Sequence, residues 1–173
     1  MDGNGKIDVN DMVYVKNSSY PDMDIALRLG ASYKGFFINA MFQGEKGFKK
    51  NITEYYSLDN GTLQRFQKYH LTETWTEDNP NAKYPRIKFV TSSDNNRRAS
   101  TFWVQDCNFI RLKTLNIGYQ FSQAALKKLH LSSASIALQG SNLFTISDLT
   151  DMDPEQTSRG YPIQRSYGIT LNL

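Results

Sequence analysis

The chain has 173 residues, a formal net charge of +3 at neutral pH and a single cysteine. That length holds one domain; the mild charge, with basic residues scattered along the chain, argues against a nucleic-acid partner; and a lone Cys107 excludes an internal disulfide. A mean hydropathy of −0.54 would ordinarily suggest a soluble protein, but a membrane β-barrel turns only alternate residues to lipid and needs no long apolar run. His70 and His130 stand far apart with no ligand-like spacing, which excludes a simple zinc motif. No charged, apolar and small-residue leader stands at the N terminus, so an exported protein would carry its signal outside this chain.

In chain order, residues 2–11 (DGNGKIDVND) resemble an EF-hand-type calcium loop. With Gly5 as the obligatory glycine, Asp2, Asn4, Asp8 and Asp11 fall on ligand positions, and the first carboxylate would precede Met1. Starting the loop at Asp2 instead puts Lys6 on a ligand position and loses the glycine. A calcium site and a plain Gly/Asn turn both fit. Residues 25–33 then alternate, with Ile25, Leu27, Leu29, Ala31 and Tyr33 on one side and Ala26, Arg28, Gly30 and Ser32 on the other, which is the period of a strand. Lys34-Gly35 supplies a hairpin turn. A second strand, 36–44, puts Phe36, Ile38, Ala40 and Phe42 on one side, with Phe37 and Met41 blurring the opposite, polar side.

From Glu45 to about Ser100 the alternation disappears. A connection this long is functional, disordered or the extracellular loop of a barrel. A short helix is predicted around Thr62 to Tyr69, with an apolar edge at Leu63 and Phe66. Tyr55, Tyr56, Trp75 and Tyr84 are candidate substrate-binding residues, since aromatic faces bury apolar area while their edges keep hydrogen bonds; packing of the loop on itself is the competing reading.

Residues 101–121 (TFWVQDCNFIRLKTLNIGYQF) carry the clearest pattern. Leu115, Ile117, Tyr119 and Phe121 share one face, and Thr114, Asn116, Gly118 and Gln120 the other. The polar face is small, uncharged and hydrogen-bonding, and the apolar face ends in aromatics, as in a transmembrane strand with a wet lumen behind it. Cys107 is expected to be a structural thiol, buried or facing the lumen. A helical turn is predicted within 122–131, another strand over 133–145, and an acidic loop carrying Asp148, Asp151, Asp153 and Glu155 after it. These carboxylates have no nucleophile or histidine beside them, so they read as a solvated loop and not as an active site. Residues 163–173 alternate again.

Several of these runs carry a family likeness. Phe102-Trp103 to Asp106, Phe109-Ile-Arg-Leu-Lys, Gly118-Tyr119, Gly140-Ser-Asn-Leu-Phe-Thr, Asp153-Pro-Glu and Tyr161-Pro-Ile-Gln-Arg-Ser-Tyr-Gly resemble, in the same order, the closing strands of SusC/RagA-type TonB-dependent outer-membrane transporters. Tyr33-Lys-Gly-Phe, Phe42-Gln-Gly and the run from Trp75 to Arg86 match further upstream. The resemblance implies an all-β fold of antiparallel up-and-down strands, forming the C-terminal segment of a transmembrane β-barrel with long extracellular loops. It also implies import of oligosaccharides or peptides with a SusD-like lipoprotein, powered by TonB through a plug domain, at the outer membrane and with no enzymatic activity.

About five strands are expected over 1–173, the last ones of such a barrel. Because barrels start at eight strands, the rest of the barrel and the plug would lie outside this sequence. The competing function is a secreted β-rich glycan-binding module, which would have to seal its aliphatic faces into a core of its own.

Overall fold

The computed structural model describes residues 3, 5, 9–15, 19–53, 68–87, 98–150, 152–156, 161 and 163–173. Strands β1 (Met23–Tyr33), β2 (Phe36–Lys46), β5 (Phe109–Gln120), β6 (Ser135–Ser147) and β7 (Ser166–Asn172) form one antiparallel sheet in the order β1-β2-β5-β6-β7. Two short strands, β3 (Lys49–Asn51) and β4 (Val104–Asp106), pair as a separate ribbon between β2 and β5. The long connection is therefore not structureless where it leaves and rejoins the sheet. The predicted last strand starts later, at Ser166, while the strand predicted over 133–145 runs from Ser135 to Ser147.

The turns follow their sequences. Lys34 and Gly35 both take positive φ, 48° and 89°, which matches the right-handed twist of the flanking strands and closes a two-residue hairpin at the Tyr33–Phe36 pair. At the same end of the sheet, Gln123–Leu126 forms one helical turn that runs into a 3-10 turn, Lys127–Leu129, with Leu126 buried beneath it. Positions 62–67 of the predicted helix lie outside the described residues; a helix is found at Lys68–Thr72.

Pairing sets the faces. Ile25, Leu27 and Leu29 of β1 stand beside Gly44, Phe42 and Ala40 of β2, while Ile38 of β2, Ile117 of β5, Leu138 of β6 and Ile169 of β7 lie in one row across the sheet. Nearly all of these large aliphatic side chains are exposed, as are Ile110, Ile136, Ile146 and Leu171 on the same face. The opposite face carries Arg28, Ser32, Asn39, Gln43, Thr114, Asn116, Gln139 and Thr170. Among the described residues the aliphatic face thus covers no core. The main buried hydrophobic cluster among the described residues sits beyond the strand ends, around Phe48, Ile52, Tyr84, Trp103, Cys107, Phe109 and Leu149.

The two residues that blur the β2 pattern both belong to the polar face. Phe37 lies across Gly118 and Ala137, its pairing neighbours on β5 and β6, and a Cβ added at Gly118 would come within 2.4 Å of the Phe37 ring. The Ile136 carbonyl oxygen would lie 2.5 Å from the same Cβ. Glycine is required there by the backbone as well as by the ring. Gly118→Ala is expected to cost roughly 1–3 kcal/mol, measured as a lower unfolding temperature of the intact protein in detergent. Adding Phe37→Ala should not restore it, because the carbonyl remains; full rescue by that second change would show that the ring alone is the obstacle.

Candidate functional site

The geometry of the outer end of the sheet starts from an irregularity in β5. Thr114 pairs with Met41 and Leu112 with Phe42, so Lys113 is an extra residue on β5 relative to β2. On the other side the register also slips, between Leu112 and Thr114, and Asn142 of β6 takes a left-handed φ of 53°. This is a β-bulge, and it reverses which residues of β5 face outward. Below it, Leu115, Ile117 and Tyr119 are on the aliphatic face; above it, Ile110 and Leu112 are, beside Ile146 and Phe144. Phe109 and Arg111 are turned to the polar side.

Arg111 is the focus of the site. Its side chain is only 2% exposed, and its guanidinium holds both oxygens of Asp153 from Nη2 at 2.7 and 2.8 Å. Its Nε lies 2.8 Å from Glu155 Oε2, and its guanidinium carbon sits 5.6 Å from the centre of the Phe109 ring. Lys113, the bulged residue, reaches Glu155 Oε1 at 3.5 Å. The Lys50 ammonium donates to the Pro154 and Gln156 carbonyl oxygens. Three cations from β3 and β5 therefore hold the segment 153–156 against the polar face. This corrects the expectation of a solvated acidic loop: Asp153 and Glu155 are ion-paired and largely withdrawn from water. Asp148 is also engaged, accepting a 2.6 Å bond from the Asn108 amide. Asp151 lies outside the described residues.

Above this ionic layer the loops pack on an aromatic core. Phe48 meets Phe109 edge-on with centroids 6.4 Å apart, and Tyr84 stacks on Trp103 at 6.5 Å and 13°. Cys107 is fully buried in this cluster, and its Sγ lies 3.6 Å from the Gln105 carbonyl. Burial pushes its thiol up to about 11. The expectation of a structural thiol holds.

Of the aromatic candidates, Tyr55 and Tyr56 lie outside the described residues. Tyr84 is 2% exposed and packs the core, whereas Trp75 is 37% exposed. The backbone places them oppositely: Trp75 N–H donates to the Tyr84 carbonyl at 2.9 Å, and Tyr84 N–H to the Glu73 carbonyl at 2.9 Å. Phe102, which the sequence reading did not single out, is 50% exposed and stands edge-on to Trp103 with centroids 4.8 Å apart. Trp75, Pro85 and Phe102, with Lys83 and Arg86, line an open groove of about 580 Å³. The signal that could have revealed Phe102 is its adjacency to Trp103, since in the 3-10 turn Thr101–Trp103 successive side chains point about a third of a turn apart.

In the calcium-type loop, Asp2, Asn4, Lys6 and Asp8 lie outside the described residues. Gly5 has a φ of 76°, a turn conformation compatible with either reading, and Asp11 ends a 3-10 turn, Val9–Asp11. Among the described residues, no group of three or more Asp, Glu, His or Cys is placed to hold a metal.

An open antiparallel meander with an aliphatic outer face, a polar inner face and a loop layer drawn over the inner side is the architecture of a segment of β-barrel wall. By sequence the chain is homologous to TonB-dependent receptors, and its fold is that of the SusC/RagA type. It is 29% identical to TonB-dependent receptor P3 of Formosa agariphila over 166 residues, which is 96% of this chain and 16% of that receptor. Against TonB-dependent receptor P26 of the same organism it is 29% identical over 163 residues, 91% of this chain and 16% of the receptor. Its fold matches the RagAB peptide transporter with a TM-score of 0.68 and 26% identity, over 96% of this chain and 19% of that one. The open-open state of the RagAB peptide importer matches with a TM-score of 0.66 and 25% identity, over 97% of this chain and 19% of that one. No protein-family model matches the chain.

Two outcomes follow from the site. Arg111→Met breaks a buried pair, worth about 3 kcal/mol, so the Glu155 and Gln156 amides, both bonded to Asp153, should exchange hydrogen about a hundredfold faster. Lys113→Met, whose partner stays held by Arg111, should change exchange less than about tenfold. Unaltered protection in Arg111→Met would mean that something else secures the loop. For Cys107, the folded chain keeps the thiol protonated up to about pH 11, while an unfolded chain releases it near the ordinary value of 9.0. Ionisation then favours the unfolded state, so the stability of the loop layer should fall as pH rises from 9 to 11, and Cys107→Ala should remove that slope in pH-dependent melting.

Proposed function

We propose that this chain forms part of the wall and extracellular mouth of a SusC/RagA-type TonB-dependent importer in the outer membrane, and that its cargo is peptide. The observation that carries the reading is the uncovered aliphatic face. Side chains such as Ile25, Leu27, Leu29, Leu138, Ile146 and Ile169 are all more than half exposed, and each would gain about 1 kcal/mol or more on leaving water. A secreted glycan-binding module would have used that gain to close its own core. Lipid supplies it instead.

The dimensions agree. Strand β1 has 11 residues, or roughly 33 Å at ~3.3 Å per step, and a barrel tilt of about 40° projects this to the ~25 Å height of an outer-membrane apolar band. Tyr33, Phe36 and Tyr119 form an aromatic cluster at the hairpin end, with Phe36 and Tyr119 centroids 4.7 Å apart, where a girdle belongs. Both sheet edges, β1 and β7, are unpaired among the described strands. In hydrocarbon each bare N–H or C=O costs several kcal/mol, so these edges pair with further strands of the barrel. The chain spans 16% of the relatives it matches, and the plug, its TonB contact and the remaining strands fall to the rest of such a receptor.

Peptide is favoured over oligosaccharide because the matched structures are of a peptide transporter. The same likeness supports a SusD-like lipoprotein partner over the loop layer. No nucleophile and base stand together in the described loop layer, and the relatives are receptors, so the reading is transport and not catalysis. The test is topological and functional together. An epitope inserted between Asn79 and Pro80 of the full-length receptor should be reached by antibody on intact cells, one between Lys34 and Gly35 only after permeabilisation, and labelled peptide uptake should stop with an uncoupler. The reverse labelling, or uptake indifferent to the uncoupler, would sink the reading.

A further inference from the structure

We infer that the hairpin end of the sheet is a docking surface for anionic phospholipid headgroups, held by Lys34, Lys127 and Lys128 at the rim of the apolar face. The inference rests on the membrane-wall reading and adds to it the chemistry of the leaflet that this rim meets.

Charge is sorted along the strands. Residues 25–44, 107–147 and 156–173, which hold most of the five long strands and both connections at the hairpin end, contain no Asp or Glu except Asp148 just beyond the second run. At the loop end the two signs are mixed: Asp106 pairs with Lys49, Asp153 with Arg111 and Glu155 with Lys113. The hairpin end is basic only. Connection 34–35 carries Lys34, and connection 121–134 carries Lys127, Lys128 and His130. All three lysines are exposed, and none has a carboxylate partner among the described residues.

The fold presents these lysines at headgroup depth. Lys34 follows Tyr33 directly, and its ammonium lies 5.2 Å from the centre of that ring. Tyr33 and Phe36 are both exposed, Phe36 packs on Tyr119, and Tyr119 stands edge-on to Phe121 with centroids 5.3 Å apart. Aromatic side chains at the end of an apolar band sit at the level of the headgroups, so the adjoining ammonium lies among the phosphates. The second connection is folded against the first: Gln120 N–H donates to the Gly35 carbonyl at 2.8 Å, Phe121 N–H to the Ala134 carbonyl at 3.0 Å, and Gln123 Nε2 to the Ser132 carbonyl at 2.9 Å. Leu126 is buried beneath the turn that bears Lys127 and Lys128. Only the lysine stems have to order on a headgroup.

The surroundings choose the ligand. An ammonium donates hydrogen bonds and accepts none, and a phosphodiester supplies both the acceptors and the countercharge. The acyl chains of the same molecule continue onto the exposed Ile38, Ile136 and Leu171 of the aliphatic face. A zwitterionic headgroup brings its own cation to the site and forfeits the attraction. An acidic protein would match the lysines alone, whereas an anionic lipid matches lysines, rings and aliphatic face together. Each lysine near such a surface is worth about fivefold in affinity.

The test titrates the full-length receptor in detergent micelles with dimyristoylphosphatidylglycerol and dimyristoylphosphatidylcholine, and counts bound lipid by native mass spectrometry. The glycerol lipid should be retained in preference. Lys34→Gln should lower its affinity about fivefold, and Lys34→Gln, Lys127→Gln and Lys128→Gln together about a hundredfold, to the level of the choline lipid. The matching triple change to Arg keeps the charges and controls for folding, so it should keep the preference. Lys46→Gln, at the loop end, should alter it less than about twofold, and excess inorganic phosphate should leave the lipid bound. The inference is overturned if the wild type binds both lipids alike, if the triple Gln variant keeps the preference or the Arg variant loses it, if Lys46→Gln matters as much as Lys34→Gln, or if phosphate displaces the lipid. The parent reading is scored separately by the epitope labelling: the expected labelling without a lipid preference would remove the headgroup site and leave the membrane wall standing.

Discussion

The extra residue at Lys113 is the constraint on which the outer half of the sheet depends. Counting back from Phe121 by twos, an unbroken alternation would turn Tyr119, Ile117, Leu115, Lys113, Arg111 and Phe109 all to the aliphatic face. That would place two cations in lipid, at about 2–4 kcal/mol each near the midplane and less toward the interface. It would also take Ile110 and Leu112 out of the apolar band. The bulge solves both problems at once. Its cost is a local break in the ladder, shared with β6, where Asn142 adopts a left-handed backbone. Bulges recur where a strand must re-aim a side chain, and the side chain re-aimed here is Arg111.

Once Arg111 points to the polar side it needs a countercharge, since an unpaired buried guanidinium would cost several kcal/mol. Asp153 and Glu155 supply it, and the loop that bears them is thereby drawn over the inner face. The two motifs Phe-x-Arg-Leu-Lys and Asp-Pro-Glu, 42 residues apart at their paired charges, are one structure seen from two places in the chain. Pro154 fits between its two acidic neighbours because its carbonyl is used by Lys50 and it has no N–H to satisfy. The aromatic core then stacks above this ionic floor, with Phe109 shared between them through its contacts with Arg111 and Phe48.

The five long strands were legible because a period of two survives in a single sequence: Leu115 to Phe121, Ile25 to Tyr33 and Ser166 to Asn172 each show it without help. The bulge was not. Lys113 looks like one more polar residue, and the slip appears only when β5 is laid against β2 and β6. The ionic site was hidden for the same reason. Four acidic residues in a loop read as solvated when their partners lie on another strand, and nothing in residues 148–155 points to Arg111. A retrospective signal did exist, since an arginine and a lysine within a strand otherwise uncharged demand partners. The aromatic candidates show the limit of composition: Trp75 and Tyr84 are equivalent as residue types, and only the bridge between their backbones sends one outward and the other into the core.

The sheet and the loop layer are stabilised by different means, and this division bears on function. Among the described residues the sheet encloses no hydrophobic core of its own; its cohesion comes from backbone pairing and, in the proposed barrel, from neighbouring strands and the surrounding lipid. The loop layer instead carries a compact set of buried side chains, from Phe48 to Leu149, outside the apolar band. In the proposed importer, a wall that stays continuous while cargo passes gains from having its mouth packed separately. In that importer a side chain changed in the loop layer would leave the strand pairing of the wall intact. The point of attachment between the two regimes is the bulged segment from Phe109 to Lys113, which belongs to both: its even residues, Ile110 and Leu112, complete the apolar face, and its odd ones hold the loops.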